Sequence, residues 1–360
     1  MTTWRFGVLE GGDVVQWTLL AKAPENRRVR GVPAAAHAPG PQPQEAVIGT
    51  LVGMKFTMLP HVWKETIDQL TEHGHEYVPY EGHVPEVTEF IVFNGTAADF
   101  PEELPESVGF VHTHFAGVDS LVKAGYLTPG KLRWSNAQGL YADTVAESTL
   151  GLLLGVTQML KTAITTTSWD AAEEMHENKV WLFNSKVAVV GAGGIGSAIV
   201  PLLKAFGATV QAVTHSGREI EGADESLAMG EFNWGEPDII ITVTPLTKET
   251  HHMVNAETLK KMKDTAIVIN VGRGPLVDTD ALTEALTSGT IAAAGLDVLE
   301  PEPLPADHPL WKLNNCLITP HVANTNPVIR HRTGLAAAAS AEAFEKGERM
   351  PTEVDPQRGY

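Results

Sequence analysis

Val187-Ala188-Val189-Val190-Gly191-Ala192-Gly193-Gly194-Ile195-Gly196 is the stretch on which the fold turns. Four apolar residues run without a polar break into spaced glycines, and an apolar helical pattern, Ile195–Phe206, follows. A strand apolar on both faces must be covered on both, as in a parallel sheet between helices. Gly191 allows the tight turn, Gly193 lets backbone approach a ligand, and Gly196 lets helix pack closely on strand. The new helix offers unpaired N–H groups and its positive dipole end, which suit a pyrophosphate. Gly191, Gly193, Gly194, Ile195 and Gly196 are therefore expected to hold a dinucleotide. A purely structural glycine turn is the plainer alternative, and the pattern downstream weighs against it.

Downstream, strands are expected at Thr209–Thr214, Asp238–Val243, Ala266–Val271, Ala292–Val298 and Cys316–Thr319. With Val187–Val190 they make six, separated by helices that include Ala256–Met262 and Thr279–Thr287, the latter ended by Gly289. This is the pattern of a doubly wound sheet. An acid that binds the adenosine ribose is expected about 20 residues past the glycines. Thr214-His215-Ser216-Gly217-Arg218 stands there instead, with no carboxylate before Glu219. A neutral strand end with hydroxyls and an arginine suits a 2′-phosphate, so NADP is favoured over NAD.

Upstream, the chain alternates from Leu51: strand-like Leu51–Leu59, a helix near Val62–Glu72, then Tyr77–Tyr80, Phe90–Phe93 and Gly109–His114. This predicts a second, smaller α/β unit with a parallel sheet. Thr144-Val145-Ala146-Glu147 has the spacing of a capping box opening a long apolar helix, Val145 to about Thr162, placed between domains or subunits. Thr3–Leu9 and Val14–Leu20 flank a glycine turn and suggest a hairpin, and Ala23–Gln44 reads as an irregular wrap. Val328–Lys346 reads as a terminal helix followed by a polar tail.

The 360 residues suggest two domains, and 43% hydrophobic against 19% charged residues is ordinary for a globular chain. Lys and Arg number 26 against 44 acids, a net charge of −18, which argues against nucleic acid and anionic membranes as partners. An anionic substrate then needs a local basic site. Cys316 is the one cysteine, which excludes an intramolecular disulfide and points to a reducing compartment. No stretch is apolar and long enough for a signal peptide or a bilayer span, so a cytoplasmic location is expected.

Ligands in such sheets bind beyond the carboxyl ends of the strands. Past the ends of the late strands stand Arg273, Asp297 with Glu302, and His321. Each has a bland reading: a tight turn at Gly272-Arg273-Gly274-Pro275, a solvated acid, a core histidine. Together, at one sheet edge beside a dinucleotide loop, they form a candidate site for reducing a carbonyl. Histidine is suited to donate the proton, and a carboxylate neighbour favours its imidazolium form. An arginine pairs with a carboxylate in bidentate fashion and polarises an adjacent carbonyl.

At these residues the chain resembles the D-isomer-specific 2-hydroxyacid dehydrogenases. The resemblance rests on Ala116-Gly117-Val118-Asp119, Ala142-Asp143-Thr144-Val145-Ala146-Glu147, Val190–Gly196 and Thr244-Pro245-Leu246-Thr247. It rests further on Ile269–Asp278, Leu296–Pro303 and Thr319-Pro320-His321, and it spans about Leu51 to Lys346. It implies two Rossmann-like α/β domains, each a doubly wound parallel sheet, with a cleft between them. Residues 144–324 would bind the dinucleotide, residues 51–143 with 325–360 would form a discontinuous substrate domain, and residues 1–50 would be an extension. It implies His321 as acid/base, Glu302 as its partner, Arg273 as carboxylate anchor, and backbone N–H groups around Ala116, Gly117 and Val118 as a second anchor. Thr244, Pro245, Val271 and Asp297 would line the cofactor cleft.

The implied activity is an NAD(P)-dependent 2-hydroxyacid dehydrogenase, working as a 2-oxo-acid reductase of the glyoxylate, hydroxypyruvate or pyruvate type, in a homodimer. The alternative is a non-catalytic NAD(H)-sensing protein of the corepressor type, which shares the fold. The pairs His73 and His75, His112 and His114, and His251 and His252 lack a third ligand at metal-site spacing, so no metal is expected. Asn94-Gly95-Thr96 replaces the family's usual polar turn facing the substrate.

Overall fold

The computed structural model describes residues 53–356 apart from 129, 131 and 325, so the expected hairpin and wrap at 3–44 lie outside the described residues. The first domain comprises β1 (Lys55–Leu59), α1 (Lys64–Glu72), β2 (Glu76–Tyr77), β3 (Phe90–Phe93), β4 (Phe110–Thr113), α2 (Asp119–Lys123) and β5 (Arg133–Ser135). Its five strands are all parallel in the order β2-β1-β3-β4-β5. Phe56, Phe90 and Phe110 stack across neighbouring strands with centroids 4.9–5.4 Å apart, aligning the register on one face. The expected strand at Tyr77–Tyr80 shrinks to Glu76–Tyr77. Arg133–Ser135 was not foreseen because three residues bearing an arginine leave no periodic signal.

The chain then crosses through α3 (Ala142–Thr157), α4 (Leu160–Thr166) and α5 (Ala172–Asn178) into the second domain. Its elements are β6 (Lys186–Val190), α6 (Gly194–Ala205), β7 (Thr209–Thr214), β8 (Glu225–Ala228), β9 (Ile239–Thr242), α7 (Ala256–Leu259), β10 (Ile267–Asn270), α8 (Thr279–Ser288), β11 (Ala293–Leu296) and β12 (Cys316–Ile318). The seven strands are parallel in the order β12-β11-β10-β9-β6-β7-β8. Order reverses between β6 and β9, the switch point at which such sheets bind ligands.

Alternation along β6 explains the two layers. Val187 and Val189 join the core with Leu152 of α3 and Ile199 and Leu203 of α6. Ala188 and Val190 join the opposite core with Leu259 of α7 and Leu282 and Leu286 of α8. Burying an aliphatic side chain of this size stabilises by about 1.5–3 kcal/mol, so both faces of the strand hold the fold.

The structure departs from the sequence pattern in three places. The sheet has seven strands, not six; β8 reads Glu-Ser-Leu-Ala, an edge strand without an apolar run. The long helix begins at Ala142, with Tyr141 at its N-cap, so Thr144 and Glu147 are interior and form no capping box. Thr144 Oγ1 instead bonds back to the Tyr141 carbonyl. The helix also stops before Met159, whose left-handed backbone (φ 54°) breaks it from α4.

α9 (Asn326–Glu345) returns the chain to the first domain. Gly334 packs so closely on α1 that a β-carbon there would meet the Gln69 side chain at 2.6 Å. Arg332 donates to both carboxylate oxygens of Asp143 and to the Leu140 carbonyl, fastening α9 to the start of α3. That pairing holds the Asp143 carboxyl down at about 2.

Candidate active site

The glycine loop has the shape its spacing implies. Gly191 has φ 103°, and a β-carbon on it would lie 2.5 Å from the Thr244 nitrogen, so this turn at the switch point accepts glycine alone. At Gly196 a β-carbon would meet the Gly191 carbonyl oxygen at 2.7 Å, because helix and strand cross there at close range. At Gly193, by contrast, the nearest atom would be 3.9 Å away, and that face lies open in front of the first turn of α6. Ile195, half-buried, packs into the core beneath. The loop therefore fits a pyrophosphate by an observation of this structure: tight where protein packs, open where a phosphate would sit.

At the end of β7, Thr214 Oγ1 accepts the Arg218 N–H at 3.1 Å. The Arg218 guanidinium folds back to donate to the Ala192 carbonyl at 2.9 Å. A cation thus lies over the glycine loop, beside exposed His215 and Ser216, and residues 214–218 themselves carry no carboxylate. Across the switch point, Thr244 and Pro245 follow β9, and Thr250 Oγ1 holds the Pro245 carbonyl at 2.7 Å.

His321 lies just beyond β12 with a left-handed backbone (φ 51°). Its N–H donates to the Asp297 carbonyl at 2.8 Å. The buried Asp297 carboxylate gathers the rest of this loop: Oδ1 accepts Thr319 Oγ1 at 2.6 Å and the Val322 N–H at 3.0 Å, and Oδ2 accepts the Ala323 N–H at 3.1 Å. Its visible work is to shape the histidine loop, a role the spacing did not reveal. The histidine Nδ1 faces Glu302 Oε2 at 3.2 Å, which leaves Nε2 as the ring atom for a ligand proton.

Arg273, half-buried after β10, is set by Asn270. The Asn270 Nδ2 donates to the Arg273 carbonyl at 3.0 Å while its Oδ1 accepts the Gly272 N–H and the Thr242 hydroxyl. Sequence reasoning missed this asparagine, although a polar residue ending an apolar strand was a legible signal. Gly274 presses the turn against the loop after β11, where a β-carbon would lie 1.8 Å from the Leu299 carbonyl oxygen. The turn bearing Arg273 and the loop leading to Glu302 are thereby in backbone contact. Val271 is buried at the end of β10.

On the first domain, Ala116, Gly117 and Val118 turn the chain from β4 into α2, and Asn136 Nδ2 holds the Ala116 carbonyl at 2.8 Å. Gly139 lies 3.7 Å from where a Gly194 β-carbon would be, so the loop after β5 abuts the first turn of α6. The Tyr141 hydroxyl donates to the His114 carbonyl, and burial pushes its pKa above the ordinary range, keeping it a donor. Asn94 is buried, its Oδ1 accepting the His61 N–H at 3.0 Å and its Nδ2 donating to the His61 carbonyl at 2.8 Å.

His112 is fully buried against Ser135 Oγ at 2.8 Å, and burial pushes it down to about 3. His114 stands edge-on to Trp63, and burial pushes it down to about 4. Both are neutral at neutral pH. A separate hollow of about 520 Å³ at the tail includes Arg133, whose guanidinium is committed to Glu353.

A family model described as the D-isomer specific 2-hydroxyacid dehydrogenase NAD-binding domain matches residues 148–323. An uncharacterised protein of Corynebacterium melassecola is 50% identical over 310 residues, covering 85% of this chain and all of that protein. A glyoxylate reductase of Thermofilum pendens is 36% identical over 267 residues, 70% of this chain and 74% of that protein. Among solved structures, a D-isomer specific 2-hydroxyacid dehydrogenase of Xanthobacter autotrophicus, in complex with NADPH and MES, superposes with a TM-score of 0.70. It is 25% identical over 86% of this chain and all of its own.

Proposed function

Since the chain belongs to the D-isomer-specific 2-hydroxyacid dehydrogenase family, and is thus an NAD(P)-dependent oxidoreductase acting on 2-hydroxy acids, we propose that it works as a 2-oxo-acid reductase of the glyoxylate or hydroxypyruvate type. Residues 144–324 then form the dinucleotide domain, and residues 51–143 with 325–360 the substrate domain. The observation that carries the reading is the His321–Glu302 pair at 3.2 Å, with the loop leading to Glu302 in backbone contact with the Arg273 turn.

When bound, the nicotinamide cofactor supplies the hydride. The protein's part is to bind, orient and move a proton. Glu302 holds Nδ1 of His321, so Nε2 delivers a proton to the substrate oxygen. The Arg273 fork takes the substrate carboxylate, and the Gly117 and Val118 N–H groups offer a second grip from the first domain. Asp297, with three acceptor positions used by the histidine loop, has a fourth on Oδ2 for a carboxamide N–H. NADP is preferred: Arg218 lies over the glycine loop, and the segment 214–218 at the end of β7 lacks the acid that binds the adenosine ribose of NAD.

A homodimer is part of this proposal. Trp169 is 92% exposed and Ile164 75%, on the segment following the long crossing helix, where a second copy would cover them. So is a reducing, cytoplasmic setting, supported by the single buried Cys316; no helix among the described residues is long and apolar enough to cross a membrane.

The test is a panel of 2-oxo acids with each reduced cofactor, followed at the nicotinamide absorbance band. Glyoxylate and hydroxypyruvate should consume NADPH faster than NADH. Tight cofactor binding without any oxidation across the panel would support a sensor instead and sink the reductase reading.

A further inference from the structure

His251 and His252 are adjacent on the turn that follows Thr244-Pro245, and the fold supplies what their spacing lacked. Glu300, from the loop after β11, brings a carboxylate to them, so that one ligating atom of each of the three lies within 4.8 Å of the other two. Contrary to the expectation from spacing, a third ligand distant in sequence is near in space. His252 Nε2 and Glu300 Oε2 are 2.7 Å apart, and the two imidazole rings stack with centroids 4.0 Å apart.

The site is built on held backbone. The His252 N–H donates to the Pro275 carbonyl at 2.8 Å, and Asn255 Nδ2 donates to the His252 carbonyl at 2.9 Å. The His251 N–H closes the turn on the Thr247 carbonyl at 3.0 Å. The His252–Glu300 pair is half-buried, while His251 is exposed and able to swing.

We propose that His251, His252 and Glu300 form a binding site for a divalent cation of the zinc class. Two imidazole nitrogens and one carboxylate oxygen are a donor set for borderline ions, with the remaining position left to water. Donors in a tetrahedral zinc site stand roughly 3.3 Å apart, given metal–ligand bonds of about 2.0–2.1 Å. A rotation of the exposed His251 brings its nitrogen in to that distance, while the His252–Glu300 pair opens outward from 2.7 Å as the ion enters. The ion takes the place of the hydrogen bond between His252 Nε2 and Glu300 Oε2. The chain's net charge of −18 favours cations near its surface. Glu300 is two residues from Glu302, so a bound ion ties the turn after β9 to the loop that holds the His321 partner.

The experiment is titration of the untagged, chelator-stripped full chain with zinc by calorimetry, and with cobalt(II) by its visible absorption. One ion per chain is expected, with affinity at least tenfold weaker in His251→Ala and in Glu300→Gln. His252→Asn, which tolerates the left-handed backbone at this residue (φ 49°), should weaken it likewise. His251→Ala should leave 2-oxo-acid reduction without added metal unchanged. The proposal is overturned by the absence of saturable binding to the wild-type chain, or by binding that His251→Ala does not weaken. Binding lost in Glu302→Gln and kept in His251→Ala would move the ion to the His321 pair and overturn it equally. These readouts are of binding, so they stand or fall independently of the proposed reductase activity.

Discussion

Nδ1 of His321 and Oε2 of Glu302 are 3.2 Å apart, although the residues are separated by 19 positions and lie on different loops. The contact depends on neither side chain alone. Asp297 gathers residues 319–323 through its carboxylate, and the Gly274–Leu299 approach fixes where the second loop starts. A histidine so oriented has one nitrogen on a carboxylate and keeps the other for a partner, the arrangement that the proposed general-acid role needs.

His321→Gln should therefore lower kcat by about 100- to 10,000-fold, the range general acid–base catalysis contributes. Quenching of protein fluorescence by the reduced cofactor should be retained with little change. Near-normal turnover in this variant would remove the proton-donor assignment.

Arg273→Lys keeps the charge and loses the planar fork. A fall in kcat/KM of about tenfold or more for 2-oxo acids is expected, since charge-assisted hydrogen bonds contribute about 1.5–3 kcal/mol. Asn270→Ala, acting only through the position of the Arg273 turn, should raise KM more than it lowers kcat. Equal losses in both parameters would argue against a positioning role.

Arg218→Ala should reduce the preference for NADPH over NADH by about tenfold, by the same magnitude for a charged hydrogen bond. The measurement is kcat/KM with each cofactor at a fixed oxo acid. An unchanged ratio would mean that the arginine holds only the Ala192 carbonyl.

The buried histidines predict a pH dependence of stability. Burial lowers His114 to about 4 and His112 to about 3 in the folded chain, against 6.5 as the ordinary value. Below pH 6.5 the unfolded chain takes up protons that the folded chain refuses, so stability falls as pH drops towards 4. Each histidine contributes a slope of up to about 1.4 kcal/mol per pH unit. Urea unfolding at pH 7, 6 and 5 should show this decline, shallower in His114→Gln. A slope identical in the two proteins would place the proton uptake elsewhere.

Trp169→Glu should convert a dimer to monomer in sedimentation experiments at micromolar concentration, since a buried interfacial tryptophan typically contributes at least about 2 kcal/mol. Should the variant sediment as the wild type does, the interface lies on another surface.

What was legible in the residue order was local. Val187–Gly196 specifies strand, turn and helix through neighbours a few positions apart, and Gly191, Gly193 and Gly196 occupy the tight, open and close-packed places their spacing implied. The late strands were readable because both their faces are apolar. β8 was not, because an edge strand with a half-exposed Glu-Ser-Leu-Ala carries no such pattern. The break at Met159 escaped because both flanking segments are helical by composition.

The amino-acid order alone thus committed the chain to two parallel sheets, a dinucleotide loop and a set of polar residues after successive strands. Folding decided their company: Asp297 shaping the His321 loop, Asn270 setting Arg273, Asn94 turned to His61, and Glu300 completing a trio with two histidines. The division has one cause. Strand and turn preferences act between near neighbours and repeat visibly along a chain. Which loops meet is set instead by strand order and crossing distance in the sheet, and these arise only when all the strands have paired.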